Sequence, residues 1–331
     1  MRRIGWLAAA AALTCVGLAS EATAQTTSGA QSLNITPGAR ADAMGRAFVA
    51  LPEDATANWW NPAALAWRRD KVVSLMHAKL VPDLAPDVYY EYLGYSMHLP
   101  GWGGIGASII YLGYGESDAV TADGQTLGAF TSYEISPQVS IGTEIARGFA
   151  AGMTLKYVYV DLAPDWAVPE KIAGTGDTFA ADIAVFWRVN DMISGIGIPV
   201  NLALNLQNLG PDIAYIQQDE ADPIGRNLKV GVAARLYGGE QTDFDLIGSY
   251  DFNQSLIHDL EESPIQNVGG ELAYRSQFAL RAGYIHDSDG AITAPTFGAG
   301  FEIGRFTVDY ASVPQAEGLD RVNKFSISYD F

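Results

Sequence analysis

Lys229-Val230-Gly231-Val232-Ala233-Ala234-Arg235-Leu236 alternates with a period of two. Val230, Val232, Ala234 and Leu236 share one face, and Lys229, Gly231, Ala233 and Arg235 share the other. That is the side-chain period of a β-strand with one apolar and one charge-bearing face. The pattern recurs downstream. In residues 243–252, Phe244, Leu246, Tyr250 and Phe252 oppose Asp243, Asp245, Ser249 and Asp251. In 277–284, Phe278, Leu280, Ala282 and Tyr284 oppose Gln277, Ala279, Arg281 and Gly283, and the last segment sets Phe325, Ile327, Tyr329 and Phe331 against Lys324, Ser326, Ser328 and Asp330. A soluble sandwich caps its strands after about 5–6 residues. These segments run to ~9–12, the length with which a tilted strand crosses a bilayer. The apolar faces then meet lipid, and Lys229, Arg235, Asp243, Asp245 and Arg281 face a wet lumen.

Extended over the chain, the pattern gives about 14 segments, an even number as bacterial outer-membrane barrels require: 70–80, 87–98, 103–114, 129–144, 148–161, 176–189, 198–208, 226–237, 242–253, 264–275, 277–286, 293–303, 305–312 and 323–331. Connections after odd-numbered segments are mostly long and acidic (115–128, 162–175, 210–225, 253–263, 313–322). Those after even-numbered segments are mostly short, with 190–198 the exception. Long outer loops alternating with short periplasmic turns place both termini in the periplasm. Trp102, Trp166 and Trp187 near segment ends fit interfacial girdles. Phe331 in the last position resembles the C-terminal aromatic assembly signal of outer-membrane barrels. The fold class is all-β: a transmembrane antiparallel barrel.

Composition agrees. The 331 residues are 48% apolar and 18% charged, with 35 Gly, 16 Tyr and 13 Phe, which is not the make-up of a disordered chain. A net charge of −18 argues against nucleic acid as a partner, since a binder must neutralise phosphates. Arg2 and Arg3, the apolar run 4–19 and Ala22-Thr23-Ala24 have the order of a secretory signal peptide, residues 1–24. The single cysteine, Cys15, leaves with it, so neither disulfides nor thiol catalysis are expected.

The familiar site motifs have plainer readings. Gly101-Trp102-Gly103-Gly104-Ile105-Gly106 fits G-x-G-x-x-G, yet it opens a hairpin strand instead of a helix. Asp287-Ser288-Asp289-Gly290 lacks the later ligands of a calcium loop and reads as a hairpin turn. His77, His98, His258 and His286 have no metal-site spacing, and no G-x-S-x-G elbow occurs. No enzyme, cofactor or metal is expected.

Before the alternation starts lies Gly38-Ala39-Arg40-Ala41-Asp42-Ala43-Met44-Gly45-Arg46-Ala47-Phe48-Val49-Ala50, followed by Asn58-Trp59-Trp60-Asn61-Pro62-Ala63-Ala64-Leu65. Apolar spacing suggests a helix over 39–49. In order and spacing the two stretches resemble the N-terminal signature of the PorV/PorQ family, which is related to the FadL long-chain fatty-acid transporters. The segment makes physical sense as a hatch in the lumen. Asn61-Pro62 sets a turn, Gly38 and Gly45 allow close approach to the wall, and Trp59, Trp60 and Trp67 supply apolar bulk. This divides the chain into a signal peptide (1–24), a lead and plug (25–68) and a barrel (69–331).

The resemblance implies one of two non-enzymatic functions. PorV-like proteins are accessory components of type IX secretion, shuttling cargo with a C-terminal sorting domain to the attachment machinery. FadL-like proteins instead pass hydrophobic compounds through a plugged barrel to a lateral gap. The compact opening and moderate loops favour the first. Gly38, Ala39, Arg40, Met44, Gly45, Asn61, Pro62 and Ala63 then form the plug motif, and Phe48, Trp59 and Trp60 would contact a hydrophobic ligand. Expected partners are outer-membrane lipid, with secretion components and cargo in the first reading or a hydrophobic small molecule in the second.

Overall fold

A computed structural model describes residues 28–52, 54–121, 123–167, 173–192, 197–215, 221–239, 242–257, 262–316 and 318–331. The signal peptide lies outside the described residues. Fourteen strands among them follow one another in sequence: β1 Val72–Val81, β2 Ala85–Leu99, β3 Gly103–Val120, β4 Thr126–Ala146, β5 Phe149–Ala163, β6 Gly174–Arg188, β7 Val200–Leu209, β8 Asn227–Tyr237, β9 Phe244–Ser255, β10 Ile265–Tyr274, β11 Phe278–Asp287, β12 Ile292–Ile303, β13 Phe306–Val313 and β14 Val322–Asp330. Each pairs antiparallel with its neighbours in sequence, and β1 closes on β14 through Val72↔Asp330 to Ala78↔Lys324. Closure leaves no unpaired edge, which is what allows a sheet to sit in hydrocarbon.

The alternation decides the faces. On β11 Leu280 points outward with 67% of its surface exposed, while its neighbour Arg281 is 7% exposed inside. Aromatic pairs ring the end with the short turns: Phe149–Trp187, Phe244–Tyr274, Phe278–Phe301 and Phe306–Tyr329, with centroids 4.7–5.0 Å apart. Nearer the other end, Tyr89, Tyr111, Tyr133 and Tyr159 form an outward row across β2–β5, spaced 5.7–6.2 Å. These are the two interfacial girdles of a membrane barrel. We call the two rims the turn end and the loop end.

Several details differ from the sequence reading. Residues 115–128 are not a free loop. β3 and β4 continue past the tyrosine row as a projecting polar hairpin, β3 as far as Val120 and β4 from Thr126. Outside lipid the strands lose their apolar face, so alternation no longer marks them. The Glu116 N–H bonds Asp87 Oδ2 at 2.8 Å and steadies the hairpin base. Trp166 is not in a girdle. It sits in the short 3₁₀ turn Asp165–Ala167 and packs edge-on against Phe130 at 6.2 Å. Nor are Lys229 and Arg281 wet: both are buried, because the lumen is filled.

Candidate functional site: a plug seated in the lumen

The filling is the chain's own N-terminal segment. It comprises a 3₁₀ turn Gln31–Leu33, helix α1 Ala39–Ala43, helix α2 Ala57–Trp60 and a second 3₁₀ turn Pro62–Trp67. The expected helix over 39–49 is corrected to α1 alone. Gly45 and Arg46 both take φ +66°, a left-handed turn that ends a helix.

The plug runs lengthwise through the barrel. At the loop end the Gly29 N–H donates to Pro223 O at 2.9 Å. There Ala30 and Leu33 share an apolar cluster with Ile213 and Ile224 of the β7–β8 connection. At the turn end Arg68 pairs with Asp330 at 3.2 Å and the Phe331 N–H bonds Lys71 O at 2.9 Å. Ser28 and Phe331 therefore lie at opposite ends of the barrel. The plug crosses the lumen before β1 begins. The described residues of the β7–β8 connection, read from sequence as a long outer loop, clasp the plug through Ile213, Pro223 and Ile224.

Backbone seating comes first. Gly45 lies so close to β10 and β11 that a Cβ there would meet Tyr284 N and Val268 O at 2.6 Å. Reciprocally, a Cβ on Gly283 would collide with Gly45 N. On the opposite wall, Cβ atoms on Gly142 and Gly152 would strike the Pro62 carbonyl and the Ala63 N–H. Glycine on both surfaces is what permits this approach. Asn61 caps the second 3₁₀ turn, accepting from Ala63 N–H at 3.0 Å, while its Nδ2 donates to Val185 O at 3.2 Å. Pro62 stands at the first position of that turn, where its missing N–H costs nothing.

Wall side chains then clamp the plug. Arg40 grips Glu271 with two nitrogens at 2.8 and 2.7 Å, and Arg281 bridges Glu271 and Asp309 at 2.5 and 2.6 Å. Asp42 pairs with Lys324 at 2.7 Å and accepts from Thr36 Oγ1 at 2.7 Å. Asp251 accepts the Phe48 and Val49 N–H groups, and Glu134 accepts those of Gln31 and Ser32. Asn58 donates to Tyr95 O and Ala107 O on adjacent strands, and Ala39 N–H donates to Ser326 Oγ at 2.7 Å. Buried charges are tolerable because each is partnered.

The proposed contact aromatics form the centre of this core. Trp59 and Trp60 meet edge-on at 4.7 Å, Phe48 packs on Trp60 at 5.7 Å, and Arg40 lies over the Phe48 ring at 5.5 Å. Gln207 and Asn205 hold the carbonyls of Trp59 and Trp60, at 2.7 and 2.9 Å, and Trp60 Nε1 donates to Pro37 O at 2.9 Å. Met44 is fully buried beside them, Ala39 is fully buried in a separate cluster with Ile285 and Ala311, and Gly38 turns against Thr56 at φ +95°. Space remains at the ends. A polar cavity of about 380 Å³ lies at the loop end. Two of about 230 and 330 Å³, both lined by Asp54 and Arg68, lie at the turn end.

Sequence reading thus gathered the plug side of the site but missed its wall side. Glu134, Asp251, Glu271 and Lys324 each sit on a polar strand face, and alternation gives the face without saying what it touches.

The family model described as type IX secretion system protein PorV matches residues 19–246. The chain belongs to the PorV family. No curated protein matches it in sequence. Among solved structures this PorV-family barrel is similar to the Ralstonia pickettii toluene transporter TbuX, at 13% identity and TM-score 0.53, covering 89% of this chain and 98% of that one. It is similar to the Pseudomonas putida toluene transporter TodX at 14% identity and TM-score 0.53, with 89% and 97% covered. A Pseudomonas aeruginosa FadL homologue follows at 10% identity and TM-score 0.51, with 90% and 99% covered. At these identities the likeness is one of fold: a FadL-like outer-membrane barrel.

Proposed function

We propose that this chain is a non-enzymatic accessory barrel of type IX protein secretion that holds exported proteins at the outer face of the outer membrane. The observation that carries the reading is the packing of Phe48, Trp59 and Trp60. They fill the middle of the lumen against one another and against the wall, where a conduit for hydrophobic compounds needs an apolar cavity. The plug is pinned by buried ion pairs to β10 and β14 and by Asp251 of β9, which accepts two plug N–H groups. Family membership supplies the process, and the hairpin of β3 and β4 supplies a projecting surface.

In this reading the loop end faces outward and the turn end, with Phe331, faces the periplasm. The organisation is a signal peptide over 1–24, a plug over 25–68 and a barrel from 69. Gly38, Ala39, Arg40, Met44, Gly45, Asn61, Pro62 and Ala63 seat the plug, and Phe331 serves barrel assembly. An affinity-tagged full chain, recovered from its own outer membrane, should bring down exported proteins with C-terminal sorting domains. Recovery without them, alongside measurable uptake of long-chain fatty acid or toluene, would replace secretion with transport.

A further inference from the structure

The loop-end cavity is built differently from the rest of the lumen. Carboxamides are the largest group in its lining, among them Asn34, Asn227, Asn253 and Asn267, with Trp59 as part of its wall; of the three lining cations, Arg226 is spent on Asp212 and Lys229 is buried on Asn253, which leaves Arg46. Each carboxamide offers both a donor and an acceptor, which suits a ligand that carries both along its length. Asn227 Oδ1 is buried and has no donor.

Into this cavity projects Arg46. Its backbone is left-handed at φ +66°, a conformation that a non-glycine residue rarely adopts, and its side chain is 28% exposed. A chain of hydrogen bonds holds it there. Lys229 Nζ donates to Asn253 Oδ1 at 3.1 Å; with the Asn267 amide oriented to satisfy its neighbours, Asn253 Nδ2 donates to its oxygen at 2.9 Å and its nitrogen to Gly45 O at 3.2 Å. Arg46 Nε bonds Asp42 at 3.2 Å. The two terminal nitrogens have no protein acceptor among the described residues. On so acidic a chain, an unspent guanidinium edge inside a pocket is an anion seat, and its fork matches a carboxylate. The acids that line the cavity, Glu262 and Asp287, stand at the loop-end rim. A polyanion would have to pass them with every charge. A chain with a single negative charge at its tip and neutral amides behind it would not.

We propose that this pocket takes the C-terminal carboxylate of an extended polypeptide, with Arg46 on the carboxylate and the carboxamides on the last peptide groups. Capture of a chain end in this way is a general recognition mode. The volume falls within the ~300–1,000 Å³ of ordinary ligand sites. The inference deepens the secretion reading and rests on it, since the chain end would belong to an exported protein.

The test uses the purified full chain in nonionic detergent, titrated calorimetrically with tetra-alanine, with its C-terminal amide and with trigalacturonate. The free acid should bind at least tenfold more tightly than the amide. Arg46→Gln should erase that difference and Arg46→Lys retain part of it. The comparison of acid with amide needs no variant, so it stands even if Arg46→Gln disturbs the plug. Equal binding of acid and amide, no binding of either, or tighter binding of trigalacturonate would overturn the proposal. If tetra-alanine fails to bind while exported proteins still co-purify with the chain, the pocket inference falls and the secretion reading stands. If tetra-alanine binds as expected without co-purification, the secretion reading falls instead.

Discussion

Arg40 of the plug and Glu271 of the wall are joined by two parallel hydrogen bonds, Nε at 2.8 Å and Nη2 at 2.7 Å, largely shielded from bulk water. Glu271 also receives Arg281, so one carboxylate neutralises a cation from each side. Glu271→Gln should therefore cost about 3–5 kcal/mol, the usual penalty for stranding buried charge. Thermal unfolding in detergent would give the cost, and planar-bilayer recording should show added ion conductance as the plug loosens. An unchanged melting temperature with unchanged conductance would mean that the pair does not hold the plug.

Glycines of the wall give a sharper contrast, because two neighbours on paired strands differ in what they face. A Cβ on Gly283 would run into Gly45 N, whereas one on Gly270 finds its nearest atoms at 3.9 Å. Gly283→Ala should destabilise by about 1–3 kcal/mol through overpacking. Gly270→Ala should stay within about 0.5 kcal/mol. Equal melting temperatures for the two variants would remove the close-seating argument.

These two cases also show what the sequence made legible. Alternation in 229–236 and 277–284 fixed strand type, faces and membrane class, because lipid outside and polar atoms inside impose a strict period of two. The same text did not reveal that Arg281 and Lys229 are partnered and buried, since a polar face reads alike whether it meets water or a plug. Gly283 looked like a small residue on that face. Its role depends on Gly45, more than two hundred positions away. The helix stops at Ala43 and does not reach 49; apolar spacing carries no sign of the left-handed turn at Gly45. Residues 115–128 read as loop because strands beyond the lipid carry no apolar stripe.

Depth in the bilayer should be measurable on the outer face. Val232 points outward at the middle of β8, whereas Leu280 lies two residues from the girdle residue Phe278. Val232→Arg should cost about 2–4 kcal/mol, and Leu280→Arg at most about 1 kcal/mol, following the depth dependence of charge on a lipid face. Reversible unfolding into lipid vesicles would separate them. A greater cost at Leu280 would displace the assigned membrane band.

At the turn end, outside the strands, Arg275 bonds both carboxylate oxygens of Asp243, at 2.9 and 3.2 Å. That bonding holds the Asp243 carboxyl below its ordinary range. A carboxyl lowered on folding adds stability above its unfolded pKa and loses it as the pH falls through the lowered one. The pair is solvent-exposed, so the effect is confined to acidic pH and is small. Titration of Asp243 followed by carbon NMR should show the lowered midpoint, and Arg275→Gln should return it to the ordinary range. No movement in the variant would refute the assignment.

The central claim is that exported proteins are held at the loop end of a plugged barrel, with no small molecule passing through it. It is tested most directly by shortening the β3–β4 hairpin, replacing residues 117–128 with Asn-Gly, which leaves the plug and its β7–β8 clasp untouched. A Trp59→Ala/Trp60→Ala variant serves for comparison. Both are assayed in the native cell for co-purifying exported proteins and for fatty-acid and toluene uptake. The expected result is loss of the exported proteins from the shortened hairpin, with no dependence of uptake on either tryptophan. Retention of exported proteins by the shortened hairpin, together with uptake that disappears in the tryptophan variant, would contradict it.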